Sequence, residues 1–74
     1  MHMVIESEHW VIWSDKNNGF LGRDGSKFER TQYFSEPSQP RVIKYVHPTT
    51  AKNACPEDHR VIRMNTKIEL TGEQ

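Results

Sequence analysis

The segment Trp10 to Gly25, WVIWSDKNNGFLGRDG, constrains the fold most, because it sets two explicit turn signals between short apolar runs. Trp10 to Trp13 and Phe20 to Leu21 read as strands flanking a polar loop that ends in Asn18-Gly19, the pair that most readily supplies positive φ angles in tight turns. Asp24-Gly25 repeats the signal and turns the chain again. A meander of three short strands is therefore expected in the first half.

The rest of the chain divides by the same logic. Phe28 to Phe34 reads as the third strand, with Phe28, Arg30, Gln32 and Phe34 on one side and Glu29, Thr31 and Tyr33 on the other. Ser35 to Pro40, SEPSQP, is a loop, since its prolines lack amide donors and bias their predecessors toward extended geometry. Arg41 to Val46 carries Val42, Ile43, Tyr45 and Val46, a composition suited to a buried strand that Pro48 ends. Between Pro48 and Pro56 lies the one helical candidate. Thr49 or Thr50 is placed to cap it, and Ala51, Ala54 and Cys55 share a face that must pack on the sheet. Arg60 to Leu70 alternates cleanly, Ile62, Met64, Thr66, Ile68 and Leu70 against Val61, Arg63, Asn65, Lys67 and Glu69, as a strand with one face in the core does.

These elements predict a single α+β domain over residues 4–71: a small antiparallel sheet of four to five short strands with one short helix packed on it. Residues 1–3 read as a tag remnant or disordered start, and 72–74 as a disordered tail. At 74 residues the chain is near the size at which one core suffices, because domains of about 60 residues bury only roughly 60% of their unfolded surface. Trp10, Phe20, Phe28 and Phe34 are the expected core aromatics. A mean hydropathy of −0.85 is polar for a folded domain, yet the supply of aromatic and β-branched residues argues against disorder. Cys55 is the one cysteine, which excludes an internal disulfide and fits a reducing cytoplasm. No apolar run approaches the roughly 18 residues that a membrane span needs.

The order of an aromatic strand WVI, a GFLGRDG hairpin, a further aromatic strand, a short helix TTAKNA and a terminal strand HRVIRM resembles small uncharacterised α+β proteins encoded by phages and prophages. The resemblance covers about residues 10 to 70. It implies a protein acting in the cytoplasm of a bacterial host, often by binding a host macromolecule, and it carries over no catalytic residue.

Chemistry-bearing residues are few. His47, Cys55, Asp58 and His59 fall close together, but without the paired knuckles of a zinc site, and Cys55 is read as a small buried hydrophobe. A cysteine nucleophile would need His47 or His59 to activate Cys55 and Asp58 to orient the base, and no nucleophile elbow accompanies them. Neither catalysis, a metal nor a cofactor is expected. Ten basic and ten acidic residues give no net charge, with residues 1 to 37 mildly acidic and 38 to 74 mildly basic. Single-stranded nucleic-acid binding is the alternative role, with Trp13, Tyr33 and Tyr45 stacking bases beside Lys44, Arg60, Arg63 and Lys67. Neutral charge and the lack of a nucleic-acid motif place it second.

Protein binding is the expected role. Trp10 and Trp13 differ by an odd offset, so a regular strand points them to opposite faces, and one is expected to be exposed or at a sheet edge. Trp13, Tyr33, Tyr45, Arg41, Lys44 and Arg63 are the expected interface residues, of the types that anchor protein contacts. The expected partner is a host bacterial protein, modulated or inhibited on binding. An unpaired strand edge also allows a homodimer.

Overall fold

In a computed structural model the chain is described over residues 2–72, the side chain of Ile68 aside. Four strands, β1 (His2–Ser14), β2 (Gly19–Arg23), β3 (Thr31–Phe34) and β4 (His59–Thr71), form one antiparallel sheet in the order β3-β2-β1-β4. Among the described residues a single helix, α1 (Pro48–Ala54), packs against β1 and β4. The antiparallel sheet with one short helix is thus present, but two of its strands are long. β1 and β4 pair without a break from His2↔Thr71 to Ser14↔His59. At about 3.3 Å per residue this ribbon spans roughly 43 Å, which accounts for the 50 Å long axis of the molecule.

The turns follow their local chemistry. Asn18 adopts φ 50° and Gly25 φ 74°, the positive angles that the Asn-Gly and Asp-Gly pairs supply. The Ser14 hydroxyl, buried under the first turn, accepts from the Asn17 amide at 3.1 Å and from Asn17 Nδ2 at 2.9 Å. In the second turn Asp24 Oδ1 accepts from the amides of Ser26 (2.8 Å) and Arg30 (3.2 Å), holding loop 24–30 on one carboxylate.

β1 and β2 pair only at Trp13↔Phe20 and Ser14↔Gly19, and then splay apart. Residues 41–45 fill the opening. Arg23 N donates to Arg41 O (3.0 Å), Ile43 N to Leu21 O (3.1 Å), and Trp10 and Tyr45 exchange both backbone bonds (2.8 and 2.9 Å). The expected buried strand over Arg41 to Val46 is therefore corrected to two isolated bridges, Gly22↔Val42 and Trp10↔Tyr45. Gly22 permits this approach: a Cβ there would overlap the Arg41 carbonyl oxygen.

Among the described residues the buried apolar side chains are Val11, Ile12, Val42 and Ala51, and the buried polar one is Ser14. Val11 and Ile12 are adjacent in a strand and point to opposite faces, so both faces of the sheet are covered at this point. Burying each such side chain contributes about 1.5–3 kcal/mol.

Other expectations are corrected as well. β1 starts at His2, so His2 and Met3 belong to the sheet rather than to a disordered start; Met1 and residues 73–74 lie outside the described residues. The third strand begins at Thr31 instead of Phe28. Glu29 at φ 50° turns the chain just before it, and Phe28 is 72% exposed rather than part of the core. Neither threonine caps α1: Pro48 occupies its first position, where a missing N–H costs nothing, and His47 stands at the N-cap without a side-chain bond. In β4 the alternation holds as far as Lys67, with Ile62, Met64 and Thr66 half-buried and Arg63, Asn65 and Lys67 exposed, but it is lost at Leu70, which is 47% exposed.

Candidate functional site

Residues facing one another in an antiparallel pair share a face, so the register sorts the ribbon. One face carries Met3, Ser7 and His9 of β1 beside Leu70, Thr66 and Met64 of β4. The other carries Val4, Glu6 and Glu8 beside Glu69, Lys67 and Asn65. The first mixes apolar side chains with Ser7, Thr66 and His9 and shows no Asp, Glu, Lys or Arg among these residues, whereas the second is mostly charged. Every β1 residue from His2 to Glu8 is exposed, including Met3, Val4 and Ile5 at 43% each. Glu6, Ser7, Glu8, Asn65, Thr66 and Lys67 line a hollow on this ribbon.

The backbone of the ribbon is equally informative. Trp10 gives and takes both of its bonds with Tyr45, so its N–H and C=O point away from β4. Trp10↔Arg63 is therefore a non-hydrogen-bonded pair, and the backbone groups of Arg63 point away from β1. The unbroken register carries this parity along both strands. Val4, Glu6 and Glu8 aim their backbone groups outward on one edge; Arg63, Asn65, Lys67 and Glu69 do so on the other. Among the described residues no strand pairs with β1 beyond Trp10 on that edge, and none pairs with the outer edge of β4.

At the root of the ribbon the side chains are tied down. Trp13 sets its ring edge against Phe20 (centroids 4.7 Å apart, planes at 68°) and donates its indole N–H to Asp15 Oδ1 at 2.7 Å. Arg60 reaches the same oxygen at 3.2 Å. Tyr33 crosses from β3 to β4 to meet His59, O to Nε2 at 2.8 Å. It lies over Gly19, whose Cβ would stand 2.9 Å from Tyr33 Cβ, and Gly19 and His59 both flank Ser14 in the register. Small residues on β2 and β1 thus clear the path. Glu57 O lies 2.9 Å from His59 Nδ1 and can only accept, so Nδ1 carries a proton, and in that tautomer Nε2 is free to accept from the Tyr33 hydroxyl.

The residues expected at an interface do not form one patch. Trp13 stands on one face of the sheet, while Tyr33, Tyr45 and Arg63 stand on the other. Both Trp10 and Trp13 are half-buried, so neither is the exposed one. Arg41 donates Nη1 to the Asp24 carbonyl, and Lys44 donates Nζ to the carbonyls of Gln39 (2.8 Å) and Val42 (3.2 Å). Arg63 pairs with Glu8 at 3.2 Å where the free ribbon begins. Cys55 is half-buried rather than enclosed. Among the described residues no group of three His, Cys, Asp or Glu converges as a metal would require, so His47, Cys55, Asp58 and His59 are not brought together as one set.

What sequence reasoning missed is the first arm of the ribbon. The alternation of Met3, Ile5 and Ser7 against Val4, Glu6 and Glu8 was its signal. Among the described residues no helix is long and apolar enough to cross a membrane. Comparison with protein-family models, with curated proteins and with solved structures yields no match.

Proposed function

We propose that this chain is a small non-catalytic binding protein whose β1–β4 ribbon docks on a protein partner. The outer edge of β1 at Val4, Glu6 and Glu8 takes up an extended segment of that partner as an added strand. One observation carries the reading: the ribbon runs past the core with an unpaired backbone edge and with Met3, Val4, Ile5 and Leu70 exposed. A two-stranded ribbon is marginal in water by itself, and a third strand relieves that deficit. Glu6 and Glu8 favour a partner segment bearing Lys or Arg opposite them. The resemblance to phage proteins points to a bacterial host protein in the cytoplasm as that partner, inhibited by the contact. Of the six residues expected at the interface, Arg63 borders this surface, and the other five brace the fold that presents it.

Nucleic acid is the weaker partner for such a ribbon, because Glu6, Glu8 and Glu69 interrupt the basic charge of Arg63 and Lys67. The test is capture from bacterial lysate on immobilised protein, with and without nuclease, alongside Glu6→Pro. The Glu6 N–H points outward, so proline there removes an edge donor while leaving the β1–β4 ladder intact. One protein retained in stoichiometric amount, resistant to nuclease and lost with Glu6→Pro, is the expected result. Capture that vanishes with nuclease, that ignores Glu6→Pro, or that yields nothing overturns the proposal.

A further inference from the structure

The outer edge of β4 differs from that of β1 in length and in charge. It runs the full strand, and its outward-aimed residues include Arg63, Asn65, Lys67 and Glu69, both signs on one edge. Glu6 and Glu8 make the β1 edge acidic only, so pairing it with its own copy sets like charges together.

We propose that β4 is a dimerisation edge: two copies pair their β4 strands antiparallel about a two-fold axis at Thr66, merging the two four-stranded sheets into one. Backbone parity and charge select this register together. Hydrogen-bonded pairs must join residues that both aim outward, which permits two-fold axes at single residues only. An axis at Asn65 opposes Arg63 to Lys67 of the other copy, one at Lys67 or Arg63 opposes each to itself, and one at Met64 sets Arg63 against Asn65 and Lys67 against Val61, leaving both cations without a carboxylate opposite. An axis at Thr66 opposes Arg63 to Glu69 twice, Asn65 to Lys67 twice, and Val61 to Thr71. On the other face it brings Leu70 beside Ile62 of the second copy. Leu70 is 47% exposed and Ile62 is half-buried at the edge of the core, so the end of each ribbon lies along the body of the other copy. An axis at Ile68 also opposes unlike charges, Lys67 to Glu69, but over a shorter overlap that leaves Ile62 and the core end unpaired.

This pairing uses the opposite edge from the partner contact proposed above, and is tested on the purified chain alone, so either can fail without the other. Sedimentation across the micromolar range is expected to show a monomer–dimer equilibrium. Asn65→Pro removes an outward N–H that bonds across the two-fold axis, and is expected to weaken the dimer by at least about 100-fold with the circular dichroism of the sheet retained. In a Cys55→Ser background, Thr66→Cys sets two thiols on the axis at a non-hydrogen-bonded pair, where Cα atoms lie about 4.5 Å apart, within disulfide reach. Oxidation is expected to link it into a covalent dimer, whereas Ile62→Cys, facing Leu70, is expected to stay unlinked. A monomer at every concentration overturns the inference. So does an open-ended polymer, which head-to-tail pairing of β1 with β4 would give, or a dimer that neither Asn65→Pro weakens nor Thr66→Cys links.

Discussion

Gly22→Ala probes the seam where β1 and β2 part. A Cβ at Gly22 would overlap the Arg41 carbonyl oxygen and stand 2.7 Å from Phe34 Cε2. The carbonyl is backbone, and it is held in place by accepting from Arg23 N at 3.0 Å, with Ile43 N bound to Leu21 O just beyond. Relieving the overlap means moving the 41–43 backbone by about 1 Å, enough to lose the Arg23 bond. Overpacking of this kind costs about 1–3 kcal/mol and a lost backbone bond about 1–3 more. Replacing a strand glycine returns roughly 0.5–1 kcal/mol. The net loss is about 2–4 kcal/mol. With an m-value near 1–1.5 kcal/mol/M for so short a chain, the urea midpoint falls by roughly 2 M. Gly25→Ala is the control. The three atoms nearest its Cβ all belong to the guanidinium of the same Arg41, the far end of a flexible side chain, so its main cost is the strain of alanine at φ 74°, about 1–2 kcal/mol. Urea unfolding followed by tryptophan fluorescence measures both. A Gly22→Ala protein within about 0.5 kcal/mol of the parent, or more stable than Gly25→Ala, would falsify the claim that 41–45 is clamped on Gly22.

Two further outcomes are expected. Ile12→Ala, at a side chain 1% exposed, costs about 2–5 kcal/mol by cavity formation; a chain of this length holds roughly 4–11 kcal/mol in all. Thermal melting should therefore show a large fall or no transition, and a shift of a degree or two would mean that the covered region is not the core. The Asp24 carboxyl is held below its usual 3.8 by the Ser26 side chain first, then by the amides of Ser26 and Arg30 and the charge of Arg41, against some desolvation. Of the two Ser26 groups the amide is the firmer partner, since the hydroxyl completes no hydrogen bond of normal geometry. A depressed folded pKa means that the carboxylate stabilises the fold above the unfolded value and that this contribution is lost as pH falls through the folded one. The melting temperatures of the parent and Asp24→Asn should differ above about pH 5 and converge toward pH 2; a constant gap would count against it.

How far the sequence announced this fold depends on whether the deciding interactions are local. Asn18 and Gly25 were legible because a positive φ is a demand that one or two residues meet by themselves. β4 was legible from its period of two. β1 was only weakly legible, because the alternation of its first arm is short, with the apolar Val4 on the charged side, and the arm is held by pairing with residues some 60 positions away. Arg41 to Val46 has the composition of a strand, but Pro40 and Pro48 bracket it and its place between two diverging strands leaves room for only two bridges. The aromatic and basic residues of the expected interface are distinguished by type alone. Their geometry spends them within the molecule: Trp13 on Asp15, Tyr33 on His59, and Arg41 and Lys44 on carbonyls.

That expenditure shifts the functional weight onto residues with no signature of their own. The covered core sits at one end of β1, around Val11 and Ile12, and beyond Glu8 and Asn65 the two strands have only each other. The ion pairs along them, Arg63–Glu8 and Lys67–Glu69, are largely exposed and contribute at most about 1 kcal/mol each. A structure that places Met3, Val4, Ile5 and Leu70 in water on an edge-exposed ribbon is stabilised by whatever adds a strand, and its two edges ask for different things. The mixed-sign β4 edge complements itself, and the acidic β1 edge does not. Addition at one edge also fixes the ribbon that presents the other, since a third strand suppresses its opening. If both proposed contacts form, dimerisation through β4 raises the affinity of the β1 edge for its partner segment by removing part of the ordering cost. Asn65→Pro, placed on the edge that the partner does not touch, should on this reasoning weaken partner binding as well as the dimer.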